Sequence, residues 1–280
     1  NSFVATAWTV ANVGATPIFC DVLDDFNIDP DKIEKKISNK TKAIIPVHLT
    51  GRMANMKEIL QIAKKNKLHV IEDSAQAIGA SYNNKKAGSF GIVGCFSLHP
   101  LKNLHVHGDG GVITTNDKNM YEYFLKIRNH GLKNRDECEF WGYNSRLDNI
   151  NAAIARIKLQ YLEKWNMRFN EIATKYSDNF DSKFTVPTYR NKYYSTFHRY
   201  IIMCDKRDEL QKYLLEKKIE SKINYPIPLH LQQAAKYLGH KKGSFPISEK
   251  QSSLILSLPI YAELSEKKVG QTFSIMMHGT

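Results

Sequence analysis

The sequence contains little that would indicate a secreted, membrane-spanning or metal-binding protein. Its 280 residues include four cysteines, which lie far apart and form no Cys-x-x-Cys pair. This spacing argues against a disulfide framework and a zinc site, and it is typical of a protein of the reducing cytosol. No apolar run approaches the roughly 20 residues that a membrane helix requires, and no signal peptide precedes the first apolar run. We therefore expect a cytoplasmic protein that binds neither membrane nor metal.

Arginine is also scarce: it supplies nine of the 40 basic residues, which outnumber the 28 acidic residues and give a net charge of +12. The lysines are scattered along the chain, often as Lys-Lys pairs, and are not gathered into one stripe. Nucleic-acid-binding domains concentrate basic residues on one face and carry a recognisable motif, and this sequence has neither. We therefore expect a solvated basic surface and no nucleic-acid partner.

Strand-like and helix-like segments alternate in the first half of the chain. Short apolar runs predict strands at residues 15–22, 43–49, 69–73, 94–98 and 111–115. Helical periodicity and capping residues predict helices that begin at Pro30 or span residues 56–66 and 120–129. Such alternation predicts an α/β fold with a mostly parallel sheet flanked by helices.

The second half has a different pattern. Residues 148–180 carry an apolar face at helical spacing and predict one long helix, of the kind that often links two domains. A strand at 197–203 and a helix at 207–217, capped by Asp205, follow it. We therefore predict a large domain over residues 1–165 and a smaller α+β domain over residues 166–280.

Two charged residues lie at the ends of predicted strands, where ligands bind in open α/β sheets. Asp73 ends an apolar strand, so it could meet a buried cationic or N–H group, or it could simply cap a helix. Lys102 follows another buried strand. In apolar surroundings its amine would have a lowered pKa and would be a good Schiff-base nucleophile, although a surface lysine on a loop is the alternative.

Two glycine-containing segments are less specific. Residues 108–111 read Gly-Asp-Gly-Gly, but they precede a strand and do not fit the GxGxxG dinucleotide fingerprint, so a tight turn is the better interpretation. Residues 142–146, which include Asn144, could hold a phosphate or cap the helix that follows.

The order and spacing of these segments resemble the DegT/StrS-type sugar-nucleotide aminotransferases, which use pyridoxal 5'-phosphate on the fold-type I aminotransferase scaffold. The resemblance extends over nearly the whole chain. It is carried by residues 2–6, 13–17, 41–51, 72–77, 88–91, 95–104, 108–111, 142–146 and 225–232.

The resemblance implies a role for three polar residues. Lys102 corresponds to the lysine that binds the cofactor through a Schiff base and then moves a proton at the substrate carbon. Asp73 would pair with the pyridinium nitrogen and keep it protonated, so that the ring can act as an electron sink. Gln76 would form a hydrogen bond with the ring hydroxyl.

Three further residues would hold the cofactor from other sides. Phe3 would stack on the ring face, Ser97 would bind the phosphate, and Asn144 would reach the phosphate of the neighbouring subunit. The resemblance therefore implies a homodimer with shared active sites.

The function that the resemblance implies is the conversion of a nucleotide-linked keto sugar to an amino sugar, with glutamate as donor. Such amino sugars serve cell-surface polysaccharide or secondary-metabolite synthesis. Related sugar dehydratases have a histidine in place of the lysine, so Lys102 favours transamination. A non-catalytic regulatory or structural relative is the alternative. Residues 102–111 resemble members that aminate C3 of the hexose, but amination at C4 stays open.

The chain departs from the family pattern in three places. The family has a further stretch before Phe3, with a Gly-Thr turn that cradles the phosphate, and we expect residues 1–280 alone to bind the cofactor weakly. Asn224 stands where the family often has histidine. Residues 271–280 do not follow the family's closing helix, so their fold is left open.

Overall fold

A computed structural model describes residues 1–188 and 191–278 of the chain. Its α-helices are α1 Val4–Asn12, α2 Pro30–Ile33, α3 Met56–Lys65, α4 Lys118–Ile127, α5 Asn149–Leu159, α6 Leu162–Asn179, α7 Arg207–Glu216, α8 Pro246–Leu254 and α9 Glu266–His278. Its strands are β1 Ala43–Ile44, β2 His69–Asp73, β3 Ser81–Tyr82, β4 Lys85–Lys86, β5 Val93–Ser97, β6 Gly111–Thr114, β7 Tyr193–Tyr194, β8 Tyr200–Met203 and β9 Ile255–Leu258.

The central sheet has the strand order β1-β2-β5-β6. β1, β2 and β5 are parallel, and β6 joins the edge antiparallel to β5. Helix α3 returns the chain from β1 to β2 and buries Met56, Ile59 and Ala63. The α/β fold with a mostly parallel sheet is therefore confirmed.

The C-terminal part contains the largest apolar core of the described residues. The antiparallel pair of β8 and β9 packs with α6, α7 and α9, and Tyr176, Ile202, Leu214 and Leu256 are fully buried there. Every residue of this core lies between positions 169 and 276. The boundary between residues 165 and 166 remains a prediction.

The predicted strand over residues 15–22 is wrong, and the one over residues 43–49 is too long. Residues 15–21 have no ladder partner among the described residues, and only Val22 forms a bridge, to Ile28. Pro17 lacks the backbone N–H that a ladder needs. In the second segment only β1 is a strand, and an isolated bridge joins Val47 to Asp73 before a 3-10 turn at Leu49–Gly51.

The predicted helix over residues 148–180 is two helices. The amide N–H groups of Gln160 and Tyr161 donate to carbonyls three residues earlier, so the chain tightens there and α6 begins at Leu162. The two helices also differ in burial: α6 faces the C-terminal core, whereas Ile150 and Ile157 of α5 are exposed. The apolar pattern in the sequence continues across this interruption, because the pattern reports only the spacing of apolar residues.

Two other expectations for the C-terminal part change. Lys206 occupies the N-cap of α7 without a side-chain hydrogen bond, so Asp205 is not the cap. The chain end is helical through His278, since α9 buries Val269, Thr272 and Met276 against the C-terminal core. Residues 279 and 280 lie outside the described residues.

Several elements of the first half expose apolar surface. Every residue of α1, α4 and β6 is at least partly exposed, and so are all of α5 except Asn151. Trp8, Ile113 and Tyr121 are each more than half exposed. Among residues 1–188 and 191–278, no helix combines the length and the hydropathy needed to span a bilayer.

Candidate active site

The ends of β2 and β5 bring the predicted site residues to one edge of the sheet. Asp73 is the last residue of β2 and pairs with Cys95 of β5, while Ser97 ends β5 two residues further on. The amide of Ser74 donates to the Cys95 carbonyl at 2.9 Å and extends the ladder by one bond. Because neighbouring parallel strands end at the same edge, Asp73 and the loop that contains Lys102 meet there.

The loop that contains Lys102 is held at both ends. The Leu98 amide donates to the Gly110 carbonyl at 2.8 Å, and the Val106 amide donates to the Leu98 carbonyl at 2.9 Å. Leu98, Leu104 and Val106 are all buried in one cluster. Lys102 therefore lies in a loop whose two ends are joined by hydrogen bonds, and these bonds restrain its backbone.

Asn103, the neighbour of Lys102, ties the loop to the second half of the chain. Its side-chain Nδ2 donates to Asn166 Oδ1 and to the Thr196 carbonyl, both at 2.9 Å, and the three side chains are buried. Its Oδ1 lies 3.3 Å from Nδ1 of the buried His198. A buried amide with this many partners resists displacement, which further restrains Lys102.

The Lys102 amine has a lowered pKa. Burial is the main cause, the positive charge of Arg199 adds to it, and the Asp73 carboxylate opposes it; the pKa falls from 10.5 to about 8. A lysine with this pKa has a much larger neutral fraction near pH 7 than an exposed lysine has. The amine is therefore suited to nucleophilic attack on a carbonyl group, and the surface-lysine alternative is wrong.

The Asp73 carboxylate has two different partners. Its Oδ1 accepts from the Ala75 amide at 3.2 Å, and its Oδ2 accepts from the Thr6 hydroxyl of α1 at 2.7 Å. Residues 74–80 form turns, so Asp73 does not cap a helix. Thr6 orients one carboxylate oxygen from across the site, 67 residues away in sequence.

Gln76 lies in the same cluster. Its Oε1 accepts from the Thr50 amide at 2.8 Å, which leaves Nε2 directed to the Tyr225 hydroxyl at 3.4 Å. The Phe3 ring is 5.9 Å from the Tyr225 ring, centroid to centroid, and Phe3 is half exposed. The structure thus groups Gln76 and Phe3 around Tyr225.

Ser97 and Asn144, which we predicted to bind the cofactor phosphate, make no hydrogen bond with Asp73, Gln76 or Lys102 among the described residues. The Ser97 hydroxyl accepts from the His99 amide at 3.3 Å, at the sheet edge beside the Lys102 loop. Asn144 is exposed, and its backbone forms an isolated bridge with Asn129. Asp148 occupies the N-cap of α5, so residues 142–146 do not cap that helix. The roles of Ser97 and Asn144 stay predictions. The tight turn predicted at residues 108–111 is absent: the chain bends at residues 107–108, with Gly108 at a φ of 90°, and Gly111 already begins β6.

Four residues of the cluster had no assigned role in our sequence predictions: Thr6, His198, Arg199 and Tyr225. Thr6 belongs to α1, whose many β-branched residues hide its helical character in the sequence. Tyr225 lies in a segment that resembles the family, which was a usable signal. The sequence contains no comparable signal for His198 and Arg199, because both occur in a strand-like run.

The residues at this edge fit pyridoxal phosphate. The cofactor requires an amine for its aldehyde and a carboxylate for its ring nitrogen, and Lys102 and Asp73 supply these within interacting range of each other. Of the nine buried side-chain polar atoms without a hydrogen-bond partner among the described residues, three lie at this edge, namely Ser74 Oγ, His198 Nε2 and Arg199 Nε. Such unsatisfied atoms are expected where a polar ligand binds. Within the described parts of the chain, no cluster of His, Cys, Asp and Glu side chains could hold a metal ion.

Comparisons with known proteins show the family to which the chain is similar. The sequence model of the DegT/DnrJ/EryC1/StrS aminotransferase family matches residues 1–276. A dTDP-3-amino-3,6-dideoxy-alpha-D-galactopyranose transaminase from Aneurinibacillus thermoaerophilus is 44% identical over 271 residues, which are 96% of this chain and 74% of that protein.

Two further similarities cover most of the chain. A protein named pleiotropic regulatory protein, from Geobacillus stearothermophilus, is 44% identical over 95% of this chain and 73% of its own length. The crystal structure of S. venezuelae DesV, solved in complex with a ketimine intermediate, superposes with a TM-score of 0.97. It is 33% identical, and the match covers 99% of this chain and 76% of that one.

Proposed function

Because this chain belongs to the DegT/DnrJ/EryC1/StrS aminotransferase family, we propose that it transfers an amino group from glutamate to the keto carbon of a nucleotide-linked sugar. The enzyme is a sugar-nucleotide aminotransferase that depends on pyridoxal 5'-phosphate. We place its product, an amino sugar, in cell-surface polysaccharide or secondary-metabolite synthesis in the cytoplasm. We propose amination at C3, since residues 102–111 resemble C3 members and a 44%-identical relative is named for a 3-amino sugar.

The observation that carries this proposal is the position of the Lys102 amine. It lies in the loop that follows β5, within interacting range of Asp73 at the end of the adjacent strand β2. When bound, the cofactor supplies an electron-withdrawing ring that stabilises negative charge at the substrate carbon. Lys102 Nζ is the group that binds its aldehyde. With the cofactor in place, the Lys102 amine would move a proton between the donor carbon and the aldehyde-derived carbon of the cofactor, because its lowered pKa lets it act as both base and acid near neutral pH.

The neighbouring side chains prepare the site for that proton transfer. Asp73 would hold the ring nitrogen in its protonated form, and the Thr6 hydroxyl keeps the carboxylate turned toward the site. Gln76 Nε2 can donate to the ring hydroxyl, because the Thr50 amide already occupies its Oε1. Phe3 would cover one face of the ring.

We also propose that the active unit is a homodimer. Asn144 is exposed, and among the described residues no hydrogen bond joins it to the Lys102 loop, which suits a side chain that serves the neighbouring site. The exposed apolar side chains of α1, α4 and β6 offer surface for such an interface. A second chain that covered them would remove this apolar area from water.

A regulatory role is the second candidate, because a 44%-identical relative is named a regulatory protein. Retention of Lys102 and Asp73 with a lowered lysine pKa argues for catalysis, since a protein that only binds a partner does not require a reactive amine.

Borohydride reduction of the full-length protein with bound cofactor tests the proposal. The wild-type protein should absorb visible light, and reduction should fix the cofactor to Lys102, as mapped by mass spectrometry. Lys102→Ala should lose both the label and transamination, whereas Lys57→Ala, on the exposed side of α3, should keep both. Single-turnover assays with 3-keto and 4-keto nucleotide sugars would then identify the substrate. A label on another lysine would contradict the assignment.

A further inference from the structure

Arg199 lies in the site with part of its guanidinium unpaired. It immediately precedes β8, and its Cζ lies 5.9 Å from the centre of the Tyr225 ring. The Tyr225 hydroxyl is its hydrogen-bond partner, while its Nε is buried and has no partner among the described residues. No Asp or Glu in residues 1–188 or 191–278 forms an ion pair with it.

The position of Arg199 is set by a chain of contacts that begins in the first half of the molecule. The Thr50 amide holds Gln76, Gln76 Nε2 donates to the Tyr225 hydroxyl, and Tyr225 contacts the guanidinium with both its ring and its hydroxyl. Tyr225 thus fixes the position of the Arg199 guanidinium. An arginine that only covered a surface would not need such support.

A partly buried guanidinium without a carboxylate is costly, because a buried charge is destabilising unless it is paired. Arg199 also acts on Lys102: its positive charge is the second cause, after burial, of the lowered pKa of that amine. Arg199 and Lys102 together carry more positive charge than the Asp73 carboxylate offsets, so the electrostatic potential at this edge is positive. This positive potential is relieved when an anionic ligand enters.

The two substrates differ in where they carry negative charge. An α-amino acid carries a carboxylate directly on the carbon that bears the reacting nitrogen. A nucleotide-linked sugar carries its diphosphate on C1, and its reacting carbonyl at C3 or C4 is uncharged. Because its contact with Tyr225, which Gln76 holds, places Arg199 at the sheet edge where Asp73 and the Lys102 loop meet, the anion that fits this position is the one attached to the reacting carbon.

We propose that Arg199 binds the α-carboxylate of the amino donor through its guanidinium group. This inference rests on the proposed function, since it assigns one of the two substrates of that reaction. Arg199 would then help to select an α-amino acid donor, and the carboxylate would form charge-assisted hydrogen bonds with it. The nucleotide of the sugar substrate would bind elsewhere.

The test uses the full-length protein loaded with pyridoxal phosphate and the variants Arg199→Gln and Arg199→Lys. Arg199→Gln should raise the KM for glutamate and the Kd for 2-oxoglutarate, measured by calorimetry, about 10- to 100-fold, the range expected for a charge-assisted hydrogen bond. The KM for the keto sugar should change less than about twofold. Arg199→Lys should recover part of the lost affinity, since it keeps the charge without the fork.

Arg168→Gln is the matched control, because it removes the same charge from a guanidinium that already pairs with Glu171 and Glu266. It should leave both donor constants near the wild-type values. Visible absorbance and thermal midpoints would establish that each variant is folded and holds cofactor. If Arg199→Gln binds glutamate and 2-oxoglutarate as well as wild type, or weakens only the keto sugar, the inference is overturned. A wild-type protein that holds cofactor but does not transaminate would instead overturn the proposed function, and calorimetry with 2-oxoglutarate would still decide the role of Arg199.

Discussion

Replacing Glu72 with glutamine should destabilise the protein by about 3–5 kcal/mol at neutral pH. The Glu72 carboxylate is completely buried beneath the site, on the strand that ends in Asp73. Its Oε1 accepts from the Phe90 and Gly91 amides at 2.6 and 2.7 Å, and its Oε2 accepts from the Gly88 amide and faces His48 Nε2, both at 2.9 Å.

The magnitude follows from the number of donors that surround this carboxylate. The Ala54 amide donates to His48 Nδ1 at 3.2 Å, so the proton of the imidazole lies on Nε2 and points at Glu72. A glutamine oxygen could replace Oε1, but its amide nitrogen would then face two donors, from His48 and Gly88. Each lost bond to a charged acceptor is worth about 1.5–3 kcal/mol, and rotation of the amide only moves the conflict to the other two donors.

The lowered pKa of Glu72 predicts the direction in which the stability difference changes with pH. Burial raises the pKa of Glu72, but the hydrogen bonds from His48 and from the Gly91 and Gly88 amides outweigh it, so the pKa is lowered. A carboxyl whose pKa is lower in the folded state stabilises fully above its unfolded value, and this stabilisation is lost as the pH falls through the folded value. The difference between wild type and Glu72→Gln should therefore be widest at neutral pH and shrink in acid.

Urea unfolding followed by circular dichroism, repeated from pH 7 to about pH 3 so that the series passes below the ordinary pKa of a glutamate, measures both effects. Glu58→Gln is the control, because Glu58 is an exposed residue of α3, and surface changes of this kind usually stay within about 0.5 kcal/mol. The reasoning is refuted if the two variants have equal stability at pH 7, or if the loss at Glu72 does not depend on pH.

Three other predictions concern the site. Asp73→Ala should still hold cofactor but slow the proton transfer by roughly two or more orders of magnitude, because the ring nitrogen loses its counter-charge; single-turnover absorbance measures this, and near-wild-type rates would exclude the role. Mixing inactive Lys102→Ala with inactive Asn144→Ala should restore some activity if the site is shared, and a fully active monomer would contradict it. The rate at which cofactor-free protein captures pyridoxal phosphate should rise with pH and level off above about 8, since the neutral Lys102 amine reacts; stopped-flow absorbance checks this, and a rate that rises only near pH 10 would disprove it.

The sequence by itself determined the features that depend on neighbouring residues. The helix start at Pro30 is confirmed, and the helix predicted from residue 120 begins at Lys118; Asp29 and Asp117 cap these two helices through their side chains, which act within three residues. The strands β2 and β5 are confirmed because a buried parallel strand must be a short apolar run. The meeting of Asp73 with the Lys102 loop followed from the same pattern, since parallel strands end at a common edge.

Only the tertiary structure decided which apolar runs find a partner and which distant side chains meet. Residues 15–21 look like a strand but have no ladder, and an unbroken helical pattern hides the turn at residues 160–161. Gln76 meets Tyr225 across 149 positions in sequence. Arg199 lies in a run that indicates a strand and nothing more. Its role depends on which charges surround it, and a chain acquires those surroundings only when packing brings separate segments together.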